Sequence, residues 1–262
     1  MIKTLDVLSR PIVPWPWARA ALRQLLYTLL IRASDDLERE FAVVARRCLP
    51  YTMTSPWRLY ALWSATRYVV RNQIPGAIVL CGVWRGGGAM LVAYALRQLG
   101  VQDRTLYLYD TFAGMPEPDN VDISHTGAAA AAYWQKVRRG AFSDWCYASL
   151  EDVRRNLART RYPDDRLVFV QGLVEETIPA VAPDTIALMY LDTDWYQSTL
   201  HELTHLYPRL AAGGVAIIDD YGFWQGARKA VDEYFAAQGC FPLLHRIDDT
   251  GRLIVKTGGP QR

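Results

Sequence analysis

The sequence predicts an α/β fold, a mostly parallel sheet covered by helices on both faces. Three observations predict it. Five short apolar runs, bounded by turn residues, alternate with helix-patterned segments. A glycine-rich turn follows the first run. Acids stand at the ends of the second, fourth and fifth runs, where an open parallel sheet binds its ligands.

The first seventy residues read as helical. Ala18–Ile31 is apolar but short and carries arginines, the pattern of a helix docked at a subunit contact. Ser34-Asp35-Asp36 makes a polar break before a second helix-patterned stretch. Ser55-Pro56 is a start signal, an N-cap followed by proline at the first helical position, and that helix runs to Asn72. Pro75-Gly76 then turns the chain. The first strand is Ala77–Cys81, followed by the turn GVWRGGG (82–88) and a helix. The second strand, Thr105–Tyr109, ends at Asp110. Residues 113–148 are long for a connection and predict a lid over the active site or an inserted helix. A helix over Ser149–Arg161 leads to the third strand, Leu167–Val170. Glu175-Glu176 begins a short helix before Pro179. The fourth strand, Ile186–Leu191, ends at Asp192. Thr199 and Glu202 predict a capping box for a helix over Leu200–Leu210. Gly213-Gly214 turns the chain into the fifth strand, Val215–Ile218. A helix near Ala227–Gln238 and two strands, Leu243–Arg246 and Leu253–Lys256, finish the chain. The expected division is a helical extension, 1–72, and a sheet domain, 73–262.

Composition narrows the function. Of 262 residues 51% are hydrophobic and 21% charged, with net charge +2. That supports a real core and argues against disorder and against nucleic-acid binding by bulk basic charge. Four cysteines, at 48, 81, 146 and 240, lack metal-type spacing and suggest a reducing cytoplasm; Cys81 and Cys240 read as buried thiols. No signal-peptide layout and no run of eighteen apolar residues is present, so no membrane span is expected.

The strand ends carry the chemistry. Gly82, Gly86, Gly87 and Gly88 let the backbone approach a cofactor, or serve tight strand–helix packing. Their spacing is GxxxGGG, neither the dinucleotide GxGxxG nor a P-loop. Asp110 reads as an acid for ribose hydroxyls or as a turn acid; with the glycine turn it leaves a nicotinamide and another adenosyl cofactor both open. Asp192, Asp219 and Asp220 converge if the fourth and fifth strands are neighbours. Three unpaired acids repel and raise one another's pKa; Mg²⁺ or Mn²⁺ relieves this, and helix caps or ion pairs to Arg228 and Lys229 are the alternatives. Asp194, two residues after Asp192, is a candidate base or a loop acid. His201-Glu202-Leu203-Thr204-His205 spells a zinc-protease string, but it sits in a covering helix beside the leucine stripe Leu200, Leu203, Leu206, Leu210. Aromatics crowd the strand-end loops, among them Trp84, Tyr133, Trp145, Trp195, Phe223 and Trp224.

CGVWRGG (81–87), DTFAGMPEP (110–118), YLDTDWYQST (190–199), LYPRLAAGGVAIIDDY (206–221) and ARKAVDEY (227–234) together resemble the macrocin-type O-methyltransferases, which methylate sugar hydroxyls of macrolide and aminocoumarin antibiotics. The resemblance covers roughly residues 50–256. It implies a class I S-adenosylmethionine-dependent methyltransferase (Rossmann-like) fold with seven strands in order 3-2-1-4-5-7-6, the last antiparallel. It implies S-adenosylmethionine as donor, Mg²⁺ as metal, a glycosylated small-molecule acceptor and a homodimer or homotetramer. By position it implies Asp192, Asp219 and Asp220 as metal ligands, Asp194 as base with Asp192 the alternative, and Asp110 as ribose acid. Donor contacts are expected from Met53, Thr54 and Ser55, from Gly82, Val83, Trp84, Gly86 and Gly87, and from Thr111 and Phe112. The chain departs from the family at three places: Leu80 replaces the acid of Glu-Cys-Gly-Val, Thr193 replaces the glycine of Asp-Gly-Asp, and Gln197 replaces the glutamate of Tyr-Glu-Ser-Thr. Other readings at this stage are a catechol methyltransferase and a non-catalytic binding or scaffold protein on the same fold.

Overall fold

The computed structural model describes residues 16–34 and 36–258; the expectation placed on Asp35, and the first fifteen residues of the stretch read as helical, lie outside them. Helices α1 (Pro16–Ala33), α2 (Arg39–Cys48) and α3 (Pro56–Arg71) precede the first strand. Ser55 caps α3, its hydroxyl accepting from the Arg58 N–H, and Pro56 takes the first turn where a missing N–H costs nothing. Strands β1 (Ala77–Cys81), β2 (Leu106–Asp110), β3 (Leu167–Gln171), β4 (Ile186–Leu191), β5 (Leu210–Ile218), β6 (His245–Arg246) and β7 (Arg252–Val255) form one sheet. Its order is β3-β2-β1-β4-β5-β7-β6, with β1 to β5 parallel and β7 antiparallel to β5. This is the order expected from the resemblance. Helices α4 (Gly87–Gln98), α5 (Ala130–Val137), α6 (Leu150–Ala158), α7 (Val174–Thr177), α8 (Tyr196–Leu206) and α9 (Gln225–Ala237) connect the strands.

The period-2 alternation of the strands feeds two cores. Ile78, Leu80, Leu106, Leu108, Leu188, Tyr190, Val215 and Ile217 face α2, α3 and α4, and Tyr27 and Ile31 of α1 join that side. Val79, Cys81, Met189, Leu191, Ala216 and Ile218 face Leu203 and Leu206 of α8 and Val231, Tyr234 and Phe235 of α9. All six residues of β4 are buried, as befits a central parallel strand.

Several boundaries differ from the sequence reading. Helix α8 starts at Tyr196, not Leu200, so Thr199 lies inside it and no capping box forms. The side chain of Glu202 turns inward instead. Strand β5 begins at Leu210 and carries Gly213 and Gly214 within it, because the Gly213 N–H donates to the Lys256 carbonyl at 2.7 Å and the Lys256 N–H to the Gly214 carbonyl at 2.8 Å. Strand β6 is two residues shorter at its start, which leaves Leu243 exposed. Cys81 is buried as expected, whereas Cys240 is half-buried; all four thiols are free. Segment 113–148 contains α5 and a two-residue ribbon pairing 138–139 with 142–143. Among the described residues no helix is long and apolar enough to cross a membrane.

Gly82 shows how closely the strand ends are drawn together. Its φ is +76°, and a Cβ there would fall 2.0 Å from the Asp192 carbonyl oxygen. Gly82→Ala is therefore expected to cost at least about 1–3 kcal/mol in backbone strain, with the overlap on top, and to lower the urea midpoint. An unchanged midpoint would mean that the strand ends are looser than this.

Candidate active site

The carboxyl ends of β1, β2, β4 and β5 open into one cavity of ≈ 1490 Å³. Helix α1, the 52–58 segment, the 113–148 insert and the β6–β7 turn complete its walls. Cavities for a single small ligand run to about 300–1,000 Å³, so this one has room for two.

The glycine turn forms the β1–β2 side. Asp110 organises it: one carboxylate oxygen accepts the N–H groups of Val83 and Trp84, each at 2.9 Å, and the other accepts the Phe112 N–H at 2.8 Å. Trp84 and Phe112 both have positive φ, 46° and 51°, and these bonds hold two backbones that a side chain disfavours. Burial pushes its pKa up, against those three N–H bonds and a bond with the Thr111 side chain. Of the residues expected to touch a donor, Met53, Thr54, Ser55, Gly82, Val83, Trp84, Asp110 and Thr111 line the cavity. Gly86, Gly87 and Phe112 do not line it. A Cβ on Gly86 would meet Leu157 and one on Gly87 would meet Tyr51, so both serve packing, and Phe112 is 4% exposed in the core.

Four acids gather at the ends of β4 and β5. Asp192, Asp194 and Asp220 each present a carboxylate oxygen within 4.8 Å of the others. Burial, then the neighbouring Asp219, Asp220 and Asp194, push the Asp192 carboxyl well above the usual range. Burial and Asp220 do the same to Asp194, whose backbone is left-handed at φ +69°. No basic side chain pairs with any of these three among the ion pairs of the described residues. Arg228 and Lys229, the sequence alternatives, face Tyr221 and Tyr196 instead.

Asp219 is placed differently from its three neighbours. Arg58 of α3 binds one of its oxygens and the Tyr190 hydroxyl donates to the other. The Arg58 Nε also donates to Asp248 at 3.0 Å, and Asp248 accepts the Thr250 and Gly251 N–H groups. Burial raises the Asp219 carboxyl to about 6 although Arg58 opposes it. Burial also acts on Asp248, but there Arg58 and the hydrogen bonds prevail and hold it near 2. Arg58, Tyr190 and Asp248 were not singled out in the sequence. The signal for them was weak: an arginine three residues past an N-cap, and an Asx-type turn at Asp248-Asp249-Thr250-Gly251.

The remaining wall is aromatic. Trp145, Trp195 and Trp224 meet edge to face with ring centroids 5.2–6.0 Å apart. Tyr133 abuts Trp145 at 4.9 Å and Phe223 abuts Trp224 at 4.9 Å. The insert is pinned beneath them. Asp122, fully buried, accepts the Tyr196 N–H at 2.9 Å and so caps α8 from a distance. Gly226 gives it room, since a Cβ there would lie 2.0 Å from the Asp122 oxygen. The zinc-protease string brings no metal set together: His201 Nε2 pairs with the Ile178 carbonyl at 2.9 Å, and Glu202 is buried beneath the acids.

Arg58 neutralises two buried acids at once. Removing one partner of a buried pair costs about 3–5 kcal/mol. Arg58→Met is expected to destabilise by that order in chemical denaturation, and a further Asp248→Asn to recover part of the loss. Destabilisation below about 1 kcal/mol, the range of surface pairs, would show the clamp to be solvated.

The family described as Macrocin-O-methyltransferase (TylF) matches residues 28–256. Demethyldecarbamoylnovobiocin O-methyltransferase of Streptomyces niveus is 35% identical over 201 residues, 77% of this chain and 74% of that protein. The 8-demethyl-8-(2,3-dimethoxy-alpha-L-rhamnosyl)-tetracenomycin-C 4'-O-methyltransferase of Streptomyces olivaceus is 34% identical over the same shares. The solved structure of the O-methyltransferase NovP superposes with a TM-score of 0.69 at 30% identity, covering 91% of this chain and 99% of that one.

Proposed function

This chain belongs to the macrocin O-methyltransferase family, and from that premise we propose that it transfers a methyl group from S-adenosylmethionine to a sugar hydroxyl of a glycosylated small molecule. The observation that carries the reading is the convergence of a glycine-turn wall, an acid cluster and an aromatic wall on one cavity. The rhamnosyl group in one relative's name supports a sugar acceptor.

In this reading the donor lies along the β1–β2 side, and S-adenosylmethionine supplies an electrophilic methyl group on sulfur. Asp110, at the cavity wall, is the acceptor for a ribose hydroxyl. Gly82, Val83 and Trp84 form the floor, and the 53–55 segment covers it. The aromatic wall offers apolar faces to a sugar ring and its aglycone. Its rings are braced by one another and by the Trp195 indole N–H, which donates to the Pro116 carbonyl at 3.2 Å, so the acceptor meets a preformed surface.

The acid cluster suits a hard divalent cation, since crowded oxygen ligands with no basic partner are what Mg²⁺ relieves. Asp192 and Asp220 are the ligands common to the sequence expectation and to the three-acid cluster. Asp194 and Asp219 compete to be the third, and Arg58 holds Asp219. When bound, such a cation lowers the pKa of a coordinated hydroxyl by several units. Asp194 is the proposed base: burial and the neighbouring Asp220 raise its proton affinity, and it stands at the cavity wall. Asp192 is the alternative. Transfer is direct, the hydroxyl oxygen forming a bond to the methyl carbon as the carbon–sulfur bond breaks, with the proton passing to the carboxylate. The exposed Leu25 and Leu29 of α1, 56% and 49% exposed, support a homodimer or homotetramer.

Asp194→Asn is expected to keep S-adenosylhomocysteine binding by calorimetry while turnover falls about 10²- to 10⁴-fold, the scale of a general base. Full turnover of this variant would reject Asp194 as base. EDTA is expected to abolish methylation of a glycoside and Mg²⁺ to restore it; full activity in EDTA would reject the metal. An acceptor panel decides the substrate. Methylation of catechols and of no glycoside would overturn the sugar, and donor binding without turnover on any acceptor would favour a binding protein.

A further inference from the structure

One buried acid has no part in that mechanism. Glu202, on α8, is wholly buried directly beneath the Asp192-Thr193-Asp194 loop. One of its oxygens accepts the Thr193 hydroxyl at 3.0 Å, and the other has no hydrogen-bond partner. The Cys81 thiol, also buried, hydrogen-bonds the carboxyl from the strand side. A fully buried carboxyl with so few partners is expensive to keep. Burial pushes it up to about 8, so near neutrality it carries a proton and adds no further charge below the acid cluster.

The loop above it is held from three sides. The Asp192 N–H bonds the Cys81 carbonyl at 3.0 Å, and Gly82 packs against the Asp192 carbonyl. The Thr193 carbonyl accepts the Trp195 N–H at 2.8 Å and the Ser198 hydroxyl at 3.3 Å. These contacts fix the backbone on either side of Thr193, and among the described residues Glu202 alone takes its side chain. The next residue, Asp194, has the left-handed backbone, a conformation costing about 1–3 kcal/mol and kept only where the surroundings over-determine it. Thr193 stands where the resembled family has glycine, so the hydroxyl and its buried acceptor form a pair that a glycine there cannot make.

We propose that Glu202 is a positioning residue, which acts through the Thr193 hydroxyl to hold Asp194 where it meets the acceptor. This rests on the methyl-transfer reading above. Glu202 touches neither donor nor acceptor. It sets the rate through loop geometry, where a displacement of about 1 Å can cost on the order of 10²-fold.

The test is a set of three variants on the full chain, after the unchanged protein has been shown to methylate a glycoside; failure at that first step rejects the reading of function rather than the role of Glu202. Glu202→Leu removes the acceptor but replaces an orphaned polar group by an apolar one, so its melting temperature is expected to hold or rise. Its kcat is expected to fall about 10- to 100-fold, with KM for the donor unchanged. Thr193→Val, which keeps shape and lacks the hydroxyl, is expected to show the same fall, and the double variant no more than either. Glu202→Gln keeps an acceptor for Thr193 and is expected to restore kcat to within about twofold of the parent, well inside that window. Full kcat in Glu202→Leu, or additive losses in the double variant, would overturn the role. If Glu202→Leu does not fold, Thr193→Val decides alone: a retained kcat overturns the role and a selective fall in kcat sustains it.

Discussion

The structure depends on one electrostatic constraint, four carboxylates packed at the ends of two adjacent buried strands. Asp192, Asp194, Asp219 and Asp220 repel one another in a cavity where water screens poorly. The molecule meets this in two ways. Asp219 receives Arg58 and the Tyr190 hydroxyl. The other three receive no basic side chain, and burial together with the like charges around them raises the Asp192 and Asp194 carboxyls. An apolar strand end would avoid the strain entirely, so the acids are retained for what they do.

Arg58 turns that electrostatic need into architecture. Its guanidinium bonds Asp219 at the end of β5 and Asp248 in the β6–β7 turn, while its backbone belongs to the first turn of α3. Three segments separated by up to 193 positions in sequence thus meet at one cation, with Ser55 also reaching Asp248. The segment that covers the β1–β2 side of the cavity is anchored to the acid side by the same group. Tyr190 adds a second link, since its hydroxyl lies 3.5 Å from that of Thr54 while donating to Asp219. Leu80, where the resembled family carries an acid, pairs in register with Tyr190. The apolar neighbour leaves the Tyr190 hydroxyl free to serve Asp219.

Much of this was legible in the sequence, and the reason is locality. Apolar runs, Ser55-Pro56 and the strand-end acids are signals that act within a few residues, and each strand and α3 appear where those signals lie. Strand order came from the resemblance, because periodicity carries no information about which strands pair. The misreadings have the same origin. Thr199 and Glu202 match a capping box locally, but Asp122 caps α8 from 74 positions away, and Glu202 is drawn under the loop. The Arg58–Asp248 pair spans 190 positions, and no local pattern announces it. Gly86 and Gly87, which do not line the cavity, show a related limit: in sequence a glycine that packs against Leu157 or Tyr51 looks the same as one that meets a ligand.

The pinned insert bears on how the acceptor side works. Residues 113–148 are long enough for a lid, yet their inner part is tied down. Asp122 binds α8 and packs on Gly226 at the start of α9, Ser124 bridges Trp224, and Trp134 donates to the Met115 carbonyl at 3.0 Å. Moving this part would uncap α8 and unpack the three tryptophans, which are worth about 0.5–1.5 kcal/mol per pair beyond their burial. The outer part differs: Tyr133 and Tyr147 are 52% and 53% exposed. Access to the aromatic wall therefore falls to the rim, with Trp224, backed by the buried Trp195, as fixed floor. In the proposed reading, a preformed floor next to the acids places the acceptor's orientation cost in folding rather than in binding, which is where a slow nucleophile such as a sugar hydroxyl benefits most.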